Sequence, residues 1–130
     1  MPDELVTEHS TGRLSVRHLG PHSSHFILSG HLEMSLTMAI IAEGERLSAT
    51  GRAIAFHDWS GLKTYSSEAR RLSTDWARAH RHNFALLSIL VSSSIVAMGV
   101  NVANLALGGF IRATSDPEAF AKALREHRDP

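Results

Sequence analysis

Two hydrophobic rhythms alternate along the chain, one of period two and one close to the turn of a helix. Leu14-Ser15-Val16-Arg17-His18-Leu19 alternates apolar and polar residues, as a half-buried strand does. Gly20 to Ser24 is turn material, and His25 to Gly30 is a second strand. So short a turn favours an antiparallel hairpin. From Leu32 to about Leu47 the rhythm changes. Leu32, Leu36, Ile40 and Leu47, with Met34, Met38 and Ile41 beside them, recur at helical spacing, and Ala49-Thr50-Gly51 closes the helix. Arg52 to His57 is a third strand, and Asp58 to Tyr65 is expected to be a loop with two aromatics. Ser66 or Ser67 then caps a second helix, with Glu68 in the first turn where a carboxylate suits the dipole. Ala69, Leu72, Trp76 and Ala79 share its apolar face.

Phe84 to Ile111 breaks the pattern, because it carries no charge in a chain that is 20% charged. One explanation is a membrane-spanning helix, which needs about 20 mainly apolar residues. The other is a buried strand, Leu86 to Val91, followed by a buried helix, Ile95 to Leu107. Ser92-Ser93-Ser94 decides for the second, since serine is a poor helix-interior residue and a good cap. Asn101 and Asn104 would be costly against lipid and sit easily at a helix surface or end. Gly108-Gly109 stops the helix where φ turns positive. A fifth strand, Phe110 to Thr114, follows. Ser115-Asp116-Pro117 starts a last helix whose apolar face is Ala119, Phe120, Ala123 and Leu124, fraying after His127.

The element order is therefore β-β-α-β-α-β-α-β-α. Strands alternating with helices imply an α/β domain with a mainly parallel five-stranded sheet and helices packed on it. Residues 1–12 read as a flexible N-terminal arm and 13–128 as a single domain.

Composition narrows the function. The chain has 130 residues, enough for one core. It has no cysteine, which removes disulfides, thiolate metal sites and cysteine nucleophiles. Lys+Arg and Asp+Glu number 13 each, and this balance argues against nucleic acid as a partner. Nine histidines make the net charge respond to mild acidity. The first ten residues, MPDELVTEHS, are acidic and polar with no apolar signal region. With the missing cysteines they point to the cytoplasm.

This element order, in this length, resembles the STAS fold of the anti-anti-sigma factors, the SpoIIAA-like group. Asp58-Trp59-Ser60-Gly61-Leu62 is similar to the Asp-Ser-Ser-Gly-Leu loop after the third strand of that family. The resemblance implies a phosphoacceptor loop of Asp58, Ser60 and Gly61, with Ser60 as the serine a partner kinase modifies. Two departures stand against it. Trp59 follows the aspartate, and the nearest helix cap, Ser66, comes several residues later, whereas the family serine sits at the helix start. The likeness covers roughly residues 12–127. It extends to STAS/SEC14-type proteins, relatives of lipid-binding modules.

Other residues carry weaker signals. Trp59 and Tyr65, at the carboxyl end of a strand, stand where open α/β sheets meet partners or ligands. Trp76 reads as core. His18, His22 and His25, and His80 with His82, lack the carboxylates or spacing of a metal motif, so no metal and no cofactor is expected. His57, Asp58 and Ser60 hold the letters of a triad, but adjacent strand residues face opposite ways, so no enzyme is expected. The third helix is apolar on every side, which calls for a second covering surface. Met98 and Val102 are its contact candidates. The sequence thus favours a non-enzymatic, regulatory or scaffolding module that acts by protein–protein contact and self-associates. The alternative is a SEC14-like binder of a lipid or other apolar small molecule, with Met34, Met38, Ile41 and the third helix lining its cavity.

Overall fold

The hairpin forms where the alternation places it. Strands β2 (Gly12–Gly20) and β3 (Ser23–Leu32) pair antiparallel and bury Leu14, Val16, Phe26 and Leu28 on one face. The computed structural model describes residues 4–9 and 11–127. The rest of the chain is β1 (Glu4–His9), α1 (Met34–Ser48), β4 (Ala53–Tyr65), α2 (Ser67–His80), a 3-10 turn at Arg81–Asn83, β5 (Phe84–Val91), α3 (Ser94–Ala106), β6 (Arg112–Thr114) and α4 (Pro117–Glu126). The strands form one sheet in the order β1-β2-β3-β4-β5-β6. The first two pairings are antiparallel and the last three parallel. This is the α/β domain and mainly parallel sheet expected, with one strand more.

The added strand is β1, within the segment read as an arm. It pairs with β2 from Glu4↔Arg17 to His9↔Gly12. Residues 1–3, 10 and 128–130 lie outside the described residues, as does the expected domain end at 128.

Two of the boundary shifts have clear physical causes. Leu32 ends β3 instead of opening a helix, because Glu33 caps α1: its carboxylate accepts from the backbone N–H of Ser35 and Leu36, each at 3.0 Å. The expected loop from Asp58 to Tyr65 is the second half of β4. It continues in strand because β3 is long enough to pair with it out to Leu32↔Tyr65. The register slips between Ile27↔Asp58 and Ser29↔Gly61, where β4 carries an extra residue, as at a β-bulge.

Other caps stand as read. Ser66 Oγ accepts from Ala69 N–H at 3.1 Å, and Asp116 accepts from Glu118 N–H at 3.0 Å. Ser93 caps α3. Past α3, Gly108 and Gly109 take φ of 68° and 80°, conformations that glycine adopts without strain. The Asn104 amide then fixes the exit, accepting from Ile111 N–H at 2.7 Å and donating to Ile111 C=O at 3.0 Å.

Helices α1, α2 and α3 lie on one face of the sheet, over a core that includes Leu14, Phe26, Leu28, Leu36, Leu47 and Val96. Helix α4 lies on the other, over a smaller cluster of Ile54, Phe56, Leu90 and Phe120. α3 is therefore flanked by α2 and not by α4. Among the described residues no helix is long and apolar enough to cross a membrane.

Candidate functional site

α3 divides its apolar residues between two sides. Val96, Gly99 and Val100 are buried against the sheet. Ile95, Met98, Val102 and Leu105 form a stripe on the opposite side, exposed by 54%, 65%, 49% and 83%. Their spacing of three, four and three residues is that of the seam along which two helices pack. Both contact candidates, Met98 and Val102, face outward on this stripe. No charged residue occurs in α3.

The inner side of α3 borders a cavity of about 120 Å³ under α2 and α3, open at the rim. Phe26, Leu87, Ile89, Val96, Val100 and Ala103 are among its walls. Tyr65 closes one end against Gly99, where a Cβ would come within 2.5 Å of the Tyr65 hydroxyl. Half-buried Arg70 and Ser73 and exposed Arg81 stand at the rim, and Arg81 donates to Leu107 C=O at 2.6 Å. Of the α1 residues expected to line a cavity, Met34 and Met38 are exposed, whereas Ile41 does line it, joined by Ile40. Their side of α1 turns to the sheet because Leu36, Leu47 and Thr37 anchor it there.

Two polar groups in this apolar wall have no partner: His57 Nδ1 and Trp59 Nε1. They are two residues apart on β4, hence on one face, with ring centroids 5.5 Å apart. His57 stacks flat on Phe26 at 4.2 Å. Burial, aided by the nearby His25, pushes its pKa down to about 3, so the ring is neutral. The sequence reading weighed His57 as a triad member and Trp59 as a partner or ligand contact. The i, i+2 spacing was the signal that they share a face.

Unlike Trp59 between them, Asp58, Ser60 and Gly61 do not line the cavity. Ser60 is exposed, and its hydroxyl donates to Asp58 Oδ1 at 2.6 Å while its N–H donates to the same oxygen at 3.0 Å. Gly61 brings β4 close to Ser29. The helix start remains at Ser66, so Ser60 lies on a strand and not at a helix N-terminus. His57 and Asp58 face opposite ways, as adjacent strand residues must.

Trp76 is half-buried between α1 and α2, its ring over Gly44 and its Nε1 donating to Glu45 at 3.0 Å. His80 stacks on it at 4.2 Å. His18 faces Glu43 at 3.3 Å, whereas His25 packs on Phe120 across the sheet, so the two cannot share a ligand. Among the described residues no group of His, Asp and Glu is placed to hold a metal. The sequence reading missed buried Glu43, whose carboxylate accepts from Ser24 Oγ at 2.6 Å and from Arg46 at 2.7 and 3.0 Å. The i, i+3 spacing of Glu43 and Arg46 was its only trace.

No protein-family model matches the chain, and no curated protein matches it significantly. Solved structures do. An uncharacterised DUF3478-family protein with a SpoIIAA-like fold, from Shewanella loihica PV-4, is 16% identical with a TM-score of 0.64, over 92% of this chain and 98% of its own. The anti-sigma factor antagonist SpoIIAA in its unphosphorylated form is 13% identical with a TM-score of 0.55, over 89% and 99%. The Bacillus cell fate determinant SpoIIAA in its phosphorylated form is 14% identical with a TM-score of 0.51, over 85% and 98%. At these identities the likeness is one of fold, and the fold is SpoIIAA-like.

Proposed function

We propose that this protein is a non-enzymatic regulatory module of the cytoplasm that works by protein–protein contact, and that its first contact is with a second copy of itself. The observation that carries the reading is the α3 stripe of Ile95, Met98, Val102 and Leu105. The seam spacing suits another helix, and a charge-free helix brings no like-charge repulsion to a two-fold contact with its own copy. Burying each such side chain is worth about 1.5–3 kcal/mol, and symmetry counts every contact twice. Light scattering is expected to give a dimer mass for the wild type. Met98→Glu and Val102→Glu are each expected to give a folded monomer, because both side chains already face water in the single chain. A wild type that is monomeric at high micromolar concentration sinks the self-association.

The regulatory part of the reading draws support from SpoIIAA, an anti-sigma factor antagonist that occurs in phosphorylated and unphosphorylated forms. By the resemblance of Asp58–Leu62 to the family loop, Ser60 is the position that would take the phosphate. A phosphate on it would set up to two negative charges against the Asp58 carboxylate that now accepts its hydroxyl, and so rearrange the β4 bulge. Ser60→Asp is expected to weaken a partner contact and leave the circular dichroism spectrum unchanged. Intact mass of protein from its native cell, free of phosphate in every growth condition, counts against this.

A second reading, a binder of an apolar small molecule, is favoured by the cavity beneath α2 and α3. Its volume of about 120 Å³ suits a single ring, not a whole phospholipid.

A further inference from the structure

The charged residues among the cavity walls are of one sign. They are Arg70 and Arg81, and no aspartate or glutamate lines the cavity with them. The two arginines differ in what they hold. Arg81 is engaged by Leu107 C=O at 2.6 Å. The Arg70 side chain has no hydrogen bond and no ion pair among the described residues, and its nitrogens are not shut away from solvent. The acids of α2, Glu68 and Asp75, stand two residues before and five after Arg70, which puts them on other sides of the helix. Ser73 also lines the cavity, is half-buried and has no partner. Residues three apart on a helix are surface neighbours, with about 5–6 Å between their Cβ atoms. A free cation and a free hydroxyl, both within reach of solvent, thus stand together at the rim of an apolar cavity.

We propose that the cavity binds a small amphipathic carboxylate, its apolar body of about six carbons inside and its carboxylate at the rim on Arg70, with Ser73 as a second donor. This rests on the small-molecule reading of the cavity and adds the chemistry of its occupant. Size sets the body: an apolar cavity of about 150 Å³ holds benzene, and this one is about 120 Å³. Charge sets the head. A guanidinium offers a planar fork of N–H donors that matches a carboxylate, and such a pair is stronger where water is partly excluded. The head stays at the rim because an ion drawn into the apolar interior would lose its hydration without replacement. One free guanidinium balances one negative charge, which suits a carboxylate and not a doubly charged phosphate ester.

Heptanoate, 1-heptanol and heptylammonium share one alkyl chain and differ in the charge of the head. Titration of the full chain at neutral pH and low salt, followed by calorimetry and by the fluorescence of Trp59 and Trp76 in the cavity wall, is expected to show heptanoate binding about tenfold more tightly than 1-heptanol, with heptylammonium weakest. The preference is expected to shrink as salt is added. Arg70→Met keeps the aliphatic stem and removes the charge. It is expected to bring heptanoate down to the affinity of 1-heptanol and leave 1-heptanol unchanged. Arg71→Met removes a charge from an exposed position outside the cavity and is expected to leave the preference intact. An equal loss in both variants would assign the attraction to net charge and overturn the Arg70 site. Ala103→Leu and Ala77→Leu, two independent ways of growing a side chain into the cavity, are expected to abolish binding of every probe. Equal binding of heptanoate and 1-heptanol, lost in a folded filled variant, overturns the carboxylate assignment and leaves the small-molecule reading standing. No binding of any probe at millimolar concentration overturns both.

Discussion

Lowering the pH from 7 to 5 is expected to remove about 2 kcal/mol of folding stability through His57 alone. The folded ring is held at a pKa of about 3, first by burial and then by His25, against 6.5 for the free side chain. Above pH 6.5 neither state carries the proton, and the stability is fully present. Between 6.5 and about 3 the unfolded chain takes the proton and the folded chain refuses it, so stability falls as pH falls. A shift of this size carries roughly 4–5 kcal/mol across the whole window. His25 acts in the same direction: burial lowers it most and Arg17 adds to that, against an upward pull from Asp58. Glu43 joins only in stronger acid. Burial pushes its carboxyl up, but hydrogen bonds from Arg46 and Ser24 and the charges of Arg46 and His18 bring it below its ordinary 4.5. Its contribution is present above that value and is lost beneath it. Urea midpoints at pH 7 and pH 5 measure the effect. His57→Phe, which keeps the stack on Phe26 and loses the titrating ring, is expected to show a markedly smaller loss. An unchanged loss would place the acid sensitivity elsewhere.

Phe56→Ala is expected to cost about 3–5 kcal/mol in a urea titration. Phe56 is wholly buried on the sheet face that α4 covers. It meets Phe120 edge-on at 5.9 Å and His127 at 5.8 Å. The cluster on this face is small, with Ile54 and Leu90 as its other buried members, so few neighbours can collapse into the vacated space. A loss under about 1 kcal/mol would mean that α4 closes over the cavity or adds little to the fold. The contrast with α3 is instructive. Met98, although as apolar as a core residue, is 65% exposed, so a charge there is expected to leave folding intact.

What was legible in the sequence was short-range chemistry. Ser66, Ser93 and Asp116 announce helix starts because a cap needs only its own oxygen and an N–H two or three residues on. The uncharged run from Phe84 to Ile111 divides at the serines into β5 and α3 for the same reason. The outward apolar side of α3 followed from its composition, since Asn101 and Asn104, its polar residues beyond the first turn, are too few to cover a face turned to water. What was not legible depended on partners distant in the chain. β1 offers Leu5 and Val6 side by side without alternation, and only its pairing with β2 makes it a strand. Asp58 to Tyr65 reads as a loop until β3 is seen to run alongside it. The cavity has no local signature, because its walls come from β3, β4, β5 and all three helices on that face. The Ser24–Glu43 contact also spans two elements, and only Arg46 lies near Glu43 in sequence.

The strand order in the sheet is the strand order in the chain, with no strand inserted between two already laid down. Each new strand finds its partner in the one just completed, so every strand pairing closes a loop across at most a single helix and its linkers. Loop-closure entropy stays small at each step, which favours rapid folding for a sheet with three parallel pairings. During synthesis the same order lets the sheet grow strand by strand from the β1–β2 pairing as the polypeptide emerges. The last pieces to arrive, β6 and α4, complete one edge and one face of a sheet whose other pairings are already made.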